Sequence, residues 1–255
     1  MSVIDDYLAA CRERVDHVAA GDAREAIGAA ARACADSIAD DKLVFSFGTG
    51  HGSFAALEMF PRTGTCAGFR PIVETPIAMF HHVLGDQGAA QYRFLHTREG
   101  YGQAILKSHR LMAGDTMVLF SHSGINAVIL DIAVESKERG LTVIGVTSLP
   151  HSSQVTSRHS SGQRLFEVAD IVIDTGVPYA DAGLHVDGLE HPLGPTSTVI
   201  NTVVAHAIVA GAVEELVRRG VEPFVMVNPN IAGRQVADAQ NDRNYEELWR
   251  RLSNR

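Results

Sequence analysis

The chain has 255 residues, 45% hydrophobic and 20% charged, with 23 glycines. That is enough apolar mass for one sizeable domain or two small ones, and it excludes a disordered or low-complexity protein. A net charge of −8 excludes a broad nucleic-acid surface or an anionic-membrane surface, while a phosphate site, being local, is compatible with it.

Three separated cysteines (Cys11, Cys34, Cys66) form no Cys-x-x-Cys pair. Free thiols in a reducing cytoplasm are expected, not a disulfide framework. The opening Met-Ser-Val-Ile-Asp-Asp-Tyr lacks the basic and apolar regions of a secretory signal, and no run reads as a span of roughly 20 apolar residues. A soluble, cytoplasmic protein is expected, with no membrane partner.

Residues 3–40 read as two helices broken near Gly21-Asp22. Ile4, Leu8, Val15 and Val18, then Ile27, Ala30, Ala31, Cys34 and Ile38, recur at helical spacing. This segment holds four arginines, no lysine and eight acidic residues, so it is no DNA-reading helix pair. It is expected to pack on the domain that follows, taken as residues 41–255, or on a second subunit.

Lys42–Phe47 reads as the first buried strand, with the loop Gly48-Thr-Gly-His-Gly-Ser53 and a helix stopped by Pro61 after it. Arg70–Thr75 is a candidate short strand. Residues 80–100, with His81, His82, Gly85 and Asp86, read as a loop or lid with a short helix, and a further helix runs to Met112.

Asp115–Phe120 is a strand-length apolar run, followed by Ser121-His-Ser-Gly124 and a helix whose apolar face is Val128, Leu130, Ile132 and Val134. Leu141–Thr147 and Asp170–Asp174 are further buried strands. Pro178–Pro195 reads as an excursion with a small hairpin. Thr196-Ser-Thr198 caps a long helix to Gly220, with Val199, Val203, Ala207, Val213 and Leu216 inward. Glu222–Val227 is a candidate edge strand, and Asp242–Leu252 an amphipathic helix carrying Trp249. Strands alternating with helices predict an α/β, doubly wound parallel sheet with ligands at the carboxyl ends of its strands.

In such a sheet the loops Gly48–Ser53, Ser121–Asn126 and Thr147–Ser148 face one crevice. The Ser121–Gly124 loop joins a strand to a helix, and offers unpaired amides, two hydroxyls and a positive helix end, which together suit an anion, a phosphate above all. A dinucleotide fingerprint is the alternative for the first loop, since Gly48-x-Gly50 is present with Glu74 downstream. Ser53 replaces its third glycine, and no Gly-Lys-Ser/Thr supplies a Walker loop.

The order Gly48-Thr-Gly-His51, Ser121-His-Ser-Gly124, Val146-Thr-Ser148 and Pro195-Thr-Ser-Thr198 resembles the sugar isomerase (SIS) family from about residue 40 to 235. It is closest to the uncharacterised phosphosugar-binding subgroup related to phosphoheptose isomerase, for which Ser157-Arg-His-Ser-Ser-Gly162 is also characteristic. The resemblance implies a five-stranded parallel sheet flanked by helices, a homodimer or homotetramer, and a sugar phosphate ligand. By that analogy Ser121, Ser123 and the main chain of His122 and Gly124 hold the phosphate. Asn126, Ser148 and the loop residues Gly48, Thr49, Gly50, His51 and Ser53 complete the site.

Aldose–ketose isomerisation needs a base to move a proton between C1 and C2, and donors to steady an enediolate. By the same analogy Glu58 and His206 are the candidate acid–base groups, although Val203 and Val204 stand where related isomerases carry Gln-Glu. Arg158 and His159 are placed to close over the sugar or to meet a neighbouring subunit. No His-x-x-x-His or His-Glu-x-x-His pattern occurs, so no metal and no other cofactor is expected. A binding or sensing module without turnover, and lyase or etherase chemistry on the same scaffold, are the alternatives.

Overall fold

Five runs of β-branched and aromatic residues build the sheet: β1 (Val44–Gly48), β2 (Phe69–Pro71), β3 (Thr116–Phe120), β4 (Thr142–Thr147) and β5 (Ile171–Asp174). In the computed structural model, which describes residues 2–78 and 88–255, all four strand pairings are parallel and the order is β2-β1-β3-β4-β5. His81, His82, Gly85 and Asp86 lie outside the described residues.

β1 and β3 are buried along their whole length, as a parallel sheet covered on both faces requires. The period of two then sorts their side chains into two cores. Val44, Val118, Phe120, Ile144 and Val146 face one layer, built from α1 (Val3–Val18), α2 (Gly21–Ala39), α3 (Gly52–Glu58) and the long helix 197–218. Phe45, Phe47, Met117, Leu119 and Val143 face the other.

Between β2 and β3 lie α4 (Thr75–Ala78), α5 (Gly88–Leu95) and α6 (Tyr101–Leu106); α7 (Ala127–Glu138) follows β3 and covers the second face. After β4 come α8 (Leu149–Ser152) and α9 (Leu165–Val168). Beyond β5 stand α10 (Ser197–Arg218), α11 (Pro229–Ala232) and α12 (Arg234–Ser253).

α1 is mostly exposed, with Ile4 at 72% and Leu8 at 46%. α2 is a core helix, because its small side chains let it lie close: Ala30, Cys34 and Ala35 are fully buried against α10.

Four expectations need correction. The inward face of α10 is Ile200, Val204, Ala205, Ile208, Val209, Ala212 and Leu216, whereas Val199 and Val203 are exposed. A helix almost uniformly apolar carries little phase information, so only its packing partner α2 sets the face. α10 is also long and apolar enough to cross a membrane, with 22 residues and mean hydropathy 1.5; its buried stripe makes it the central helix of the first core.

The stretch 222–227 forms no strand. It makes one antiparallel bridge, Cys66 to Val225, because Asn241 and Asn244 of α12 take the peptide groups of Val227 and Val225 that a ladder would use. Finally α6 stops at Leu106 rather than Met112, and Asp115 Oδ2 accepts the Met112 amide. α12 in turn begins at Arg234, ahead of the expected start.

Candidate functional site

The chain order reverses direction between β1 and β3, neighbours in the sheet from which the connections leave to opposite faces: α3 packs in the first core and α7 in the second. A crevice at the carboxyl ends of those two strands follows from the topology. The structure has a cleft of about 360 Å³ there, lined by Thr49, His51 and Gly52 after β1 and by Ser121, His122, Ser123 and Asn126 after β3. Tyr92 of α5 and Asp181, Ser197, Thr198 and Asn201 close it.

The first loop is a tight wrap around the end of β3. A Cβ on Gly52 would lie 2.5 Å from the Phe120 carbonyl oxygen, and one on Gly50, whose φ is +57°, would lie 2.7 Å from the Tyr92 hydroxyl. At Gly52 the backbone of β3 excludes a side chain, and at Gly50 the left-handed φ strains one and the Tyr92 ring would have to move. The Tyr92 phenol shares a side-chain hydrogen bond with Thr49 and is pushed up by burial. Ser53 faces inward: its buried hydroxyl donates to the carbonyls of Gly50 and Ala78.

In the second loop the Ser121 hydroxyl accepts the Gly124 amide at 3.1 Å, a turn that Gly124 permits with φ +62°. The Gly124 amide is thereby occupied. Among the described residues the amides of His122 and Ser123 and the Ser123 hydroxyl make no hydrogen bond. The loop is held from below by the His122 carbonyl, which accepts the Ser148 amide and the Thr147 hydroxyl. Two free amides, two hydroxyls and the start of α7 thus converge on one small volume, an arrangement suited to an anion.

Other expected residues fall elsewhere. Ser148 is fully buried; its hydroxyl donates to the Val177 carbonyl and accepts the His151 amide, capping α8. The structure does not bring it into the cleft. Gly48 ends β1 and lies against the backbone of Gly52 and Ser53. Arg158 donates to Asn126 Oδ1 at 3.0 Å, on the rim. His159 turns away, with Nε2 at 3.4 Å from the buried Asp131 and Nδ1 at 2.8 Å from the Ser161 hydroxyl. Glu58 and His206 do meet, Oε2 to Nε2 at 3.2 Å, with Arg62 at 2.7 Å from the same carboxylate. Neither belongs to the cleft lining.

The sequence reading missed Tyr92, Asp181, Ser197, Thr198 and Asn201. Asp181 caps α10: Oδ1 accepts the amides of Thr196 and Ser197 at 3.0 and 2.9 Å, and Oδ2 accepts the Ser197 hydroxyl. The cap is therefore not Thr196, whose side chain makes no capping bond. Asp181 and Ala180 both hold left-handed φ, 59° and 64°, a strained turn that the three donors stabilise.

Behind the cleft wall the His122 ring lies against His151 and that of His151 against Tyr179, tilted, with centroids 4.6 and 4.9 Å apart. Burial pushes His122 down to about 4, against the pull of the Asp181 charge and with the neighbouring His151 adding to it. The folded state therefore prefers the neutral ring. Its stabilisation is complete above the ordinary value near 6.5 and is lost as pH falls from there toward 4, at up to about 1.4 kcal/mol per unit. His122→Gln removes that slope. Urea unfolding of both proteins at pH 7.5 and 4.5 should show the wild type losing more on acidification; equal losses would mean a solvated ring.

Among the described residues no group of three or more metal-ligating side chains occurs. A model of the SIS domain matches residues 6–148, more than half of the chain. UPF0309 proteins of Shouchella clausii and Oceanobacillus iheyensis are 34% identical over 95% of both chains and 33% identical over 97% of this chain and 98% of theirs. The phosphoheptose isomerase of Francisella tularensis shares the fold with a TM-score of 0.51 at 14% identity, over 82% of this chain and 95% of that one. The Vibrio vulnificus NanR protein, solved with ManNAc-6P, does so with a TM-score of 0.51 at 10% identity, over 86% and 65%. With its parallel sheet, its serine loop at the β1–β3 crevice and these relatives, the chain belongs to the SIS domain family.

Proposed function

We propose that this protein binds a sugar phosphate in the cytoplasm, with the phosphate on the loop Ser121–Gly124 and the sugar extending toward α10. The observation that carries the reading is the convergence of the free His122 and Ser123 amides with the Ser121 and Ser123 hydroxyls inside the cleft. The remaining lining is rich in hydroxyls, amides and imidazoles, which suits a polyol. Arg158 on the rim is the guanidinium placed to swing from Asn126 to the phosphate.

Losing two hydroxyls that bond an anion removes about 1.5–3 kcal/mol each. Ser121→Ala with Ser123→Ala is therefore expected to weaken sugar phosphate binding 100-fold or more, with the melting temperature of the free protein lowered by about 2–4 °C, since Ser121 no longer accepts the Gly124 amide. Thermal-shift titration against sugar phosphates and their unphosphorylated parents reads this directly. Equal stabilisation of the wild type by both sets would sink the proposal, and a response to NAD(P) instead would point to a dinucleotide site.

The enzymatic form of the proposal is aldose–ketose isomerisation: a proton leaves C2 for a base, an enediol forms, and a proton returns to C1. The Glu58–His206 contact of 3.2 Å favours it, since a carboxylate paired with an imidazole is a serviceable acid–base couple. The second reading is binding without turnover, favoured by the position of that pair outside the cleft lining. NMR turnover assays separate them: Glu58→Gln and His206→Ala each abolish conversion but retain binding if the pair is catalytic. Unchanged turnover in both variants removes the assignment.

We also propose a homodimer or homotetramer with no nucleic-acid partner. Ile4 and Leu8 of α1 and Val199 and Val203 of α10 are exposed apolar side chains, and light scattering would show a monomer if that face stays in water.

A further inference from the structure

Asn201 is a side chain for which phosphate binding has no use. It is 3% exposed, yet it lines the cleft, and among the described residues no group hydrogen-bonds its amide. Its oxygen and nitrogen are not sealed off like the orphaned atoms elsewhere in the protein. The small surface that Asn201 keeps is therefore the amide, and it faces the cleft.

Position within α10 makes this unusual. One turn earlier Ser197 and Thr198 line the same cleft. One turn later Val204 and Ala205 are fully buried in the first core. Asn201 stands where the polar stripe gives way to the apolar one, at a place where leucine would extend the core. Opening onto the cleft, the amide can make its hydrogen bonds only there, and a polar ligand in the cleft would take them.

We propose that Asn201 reads the sugar portion of the ligand: Nδ2 donates to one hydroxyl or carbonyl oxygen, and Oδ1 accepts from the adjacent hydroxyl. An amide holds donor and acceptor side by side, which matches a vicinal diol or an α-hydroxy carbonyl rather than a phosphate, which only accepts at full ionisation. Asn201 is thus a specificity residue for the carbohydrate, and this assignment rests on the reading of Ser121–Gly124 as the phosphate loop.

The test compares wild type, Asn201→Leu and Asn201→Ala by calorimetry against inorganic phosphate, glycerol 3-phosphate and a panel of aldose and ketose phosphates of five to seven carbons. Asn201→Leu is expected to melt close to the wild type without ligand, since the amide it removes opens onto the cleft and is hydrated there. Its Kd for inorganic phosphate should stay within twofold, and its Kd for the tightest sugar phosphate should rise tenfold or more. Asn201→Ala, which cannot crowd its neighbours, must give the same separation between phosphate and sugar phosphate.

Unchanged sugar phosphate affinity in both variants overturns the inference while leaving the phosphate loop intact. So does a wild type that binds inorganic phosphate as tightly as every sugar phosphate. A wild type that binds no phosphate compound overturns the loop reading and this inference together.

Discussion

Asp115→Ala is expected to destabilise the protein by about 3–5 kcal/mol, the cost of breaking a buried ion pair from one side. Asp115 precedes β3 and is fully buried, and the Arg255 side chain facing it is 2% exposed. Oδ1 accepts from the Leu43 amide at 2.9 Å and from Arg255 at 2.8 Å; Oδ2 accepts from the Met112 amide and from Arg255, both at 2.7 Å. Alanine leaves two amides without acceptors in the interior, and the guanidinium with only the Arg110 carbonyl at 3.0 Å and no counter-charge. Asp115→Asn should recover little, because its NH2 group would face the donors that Oδ2 now accepts.

In a chain whose total stability is of the order of 5–15 kcal/mol, such a loss lowers the urea midpoint strongly. The double variant Asp115→Leu, Arg255→Met should be distinctly more stable than Asp115→Ala, since an apolar pair leaves no buried charge. A single-variant cost below 1 kcal/mol would show that the pair is hydrated in solution.

Gly52→Ala is expected to damage fold and site together. The new Cβ would stand 2.5 Å from the Phe120 carbonyl oxygen and 3.3 Å from its carbon, and these are backbone atoms at the end of β3. Neither side can yield by a rotamer change, so the loop after β1 must lift away from β3. Overpacking of this kind costs about 1–3 kcal/mol, occasionally more. The displaced atoms adjoin Ser121, so the expected signature is loss of stabilisation by sugar phosphates beyond what the lower melting temperature explains. A variant that folds and binds like the wild type would show that the loop is free to move.

Much of this architecture was legible in the sequence because it rests on local chemistry. The runs 115–120, 141–147 and 170–174 each contain a strand of the sheet, and 42–47 holds all of β1 but Gly48, since short β-branched runs bounded by glycine or polar loops have few other uses in an α/β chain. The serine loop was legible for the same reason: hydroxyls and glycine between strand and helix form a turn with free amides whatever surrounds them.

Ser148 shows the limit. It carries the same local signal as Ser121, a serine at a strand's carboxyl end, yet it lies one strand farther from the crevice and caps α8. Asp181 gave no signal, because its task depends on an N-terminus that the fold brings to it from residue 196.

The sequence by itself determined the layered α/β plan, the phosphate-suited loop and the family resemblance, all of which depend on residues near one another along the chain. The tertiary structure alone decided which face of α10 is inward, that Glu58 meets His206 across a separation of 148 residues, and that Asn201 ends at the cleft without a partner. Those are contacts between elements distant in sequence. Helical periodicity in a nearly all-apolar helix cannot choose a face, so the choice falls to packing: α2 buries its alanines against one side of α10, and what remains on the adjoining turn opens onto the cleft.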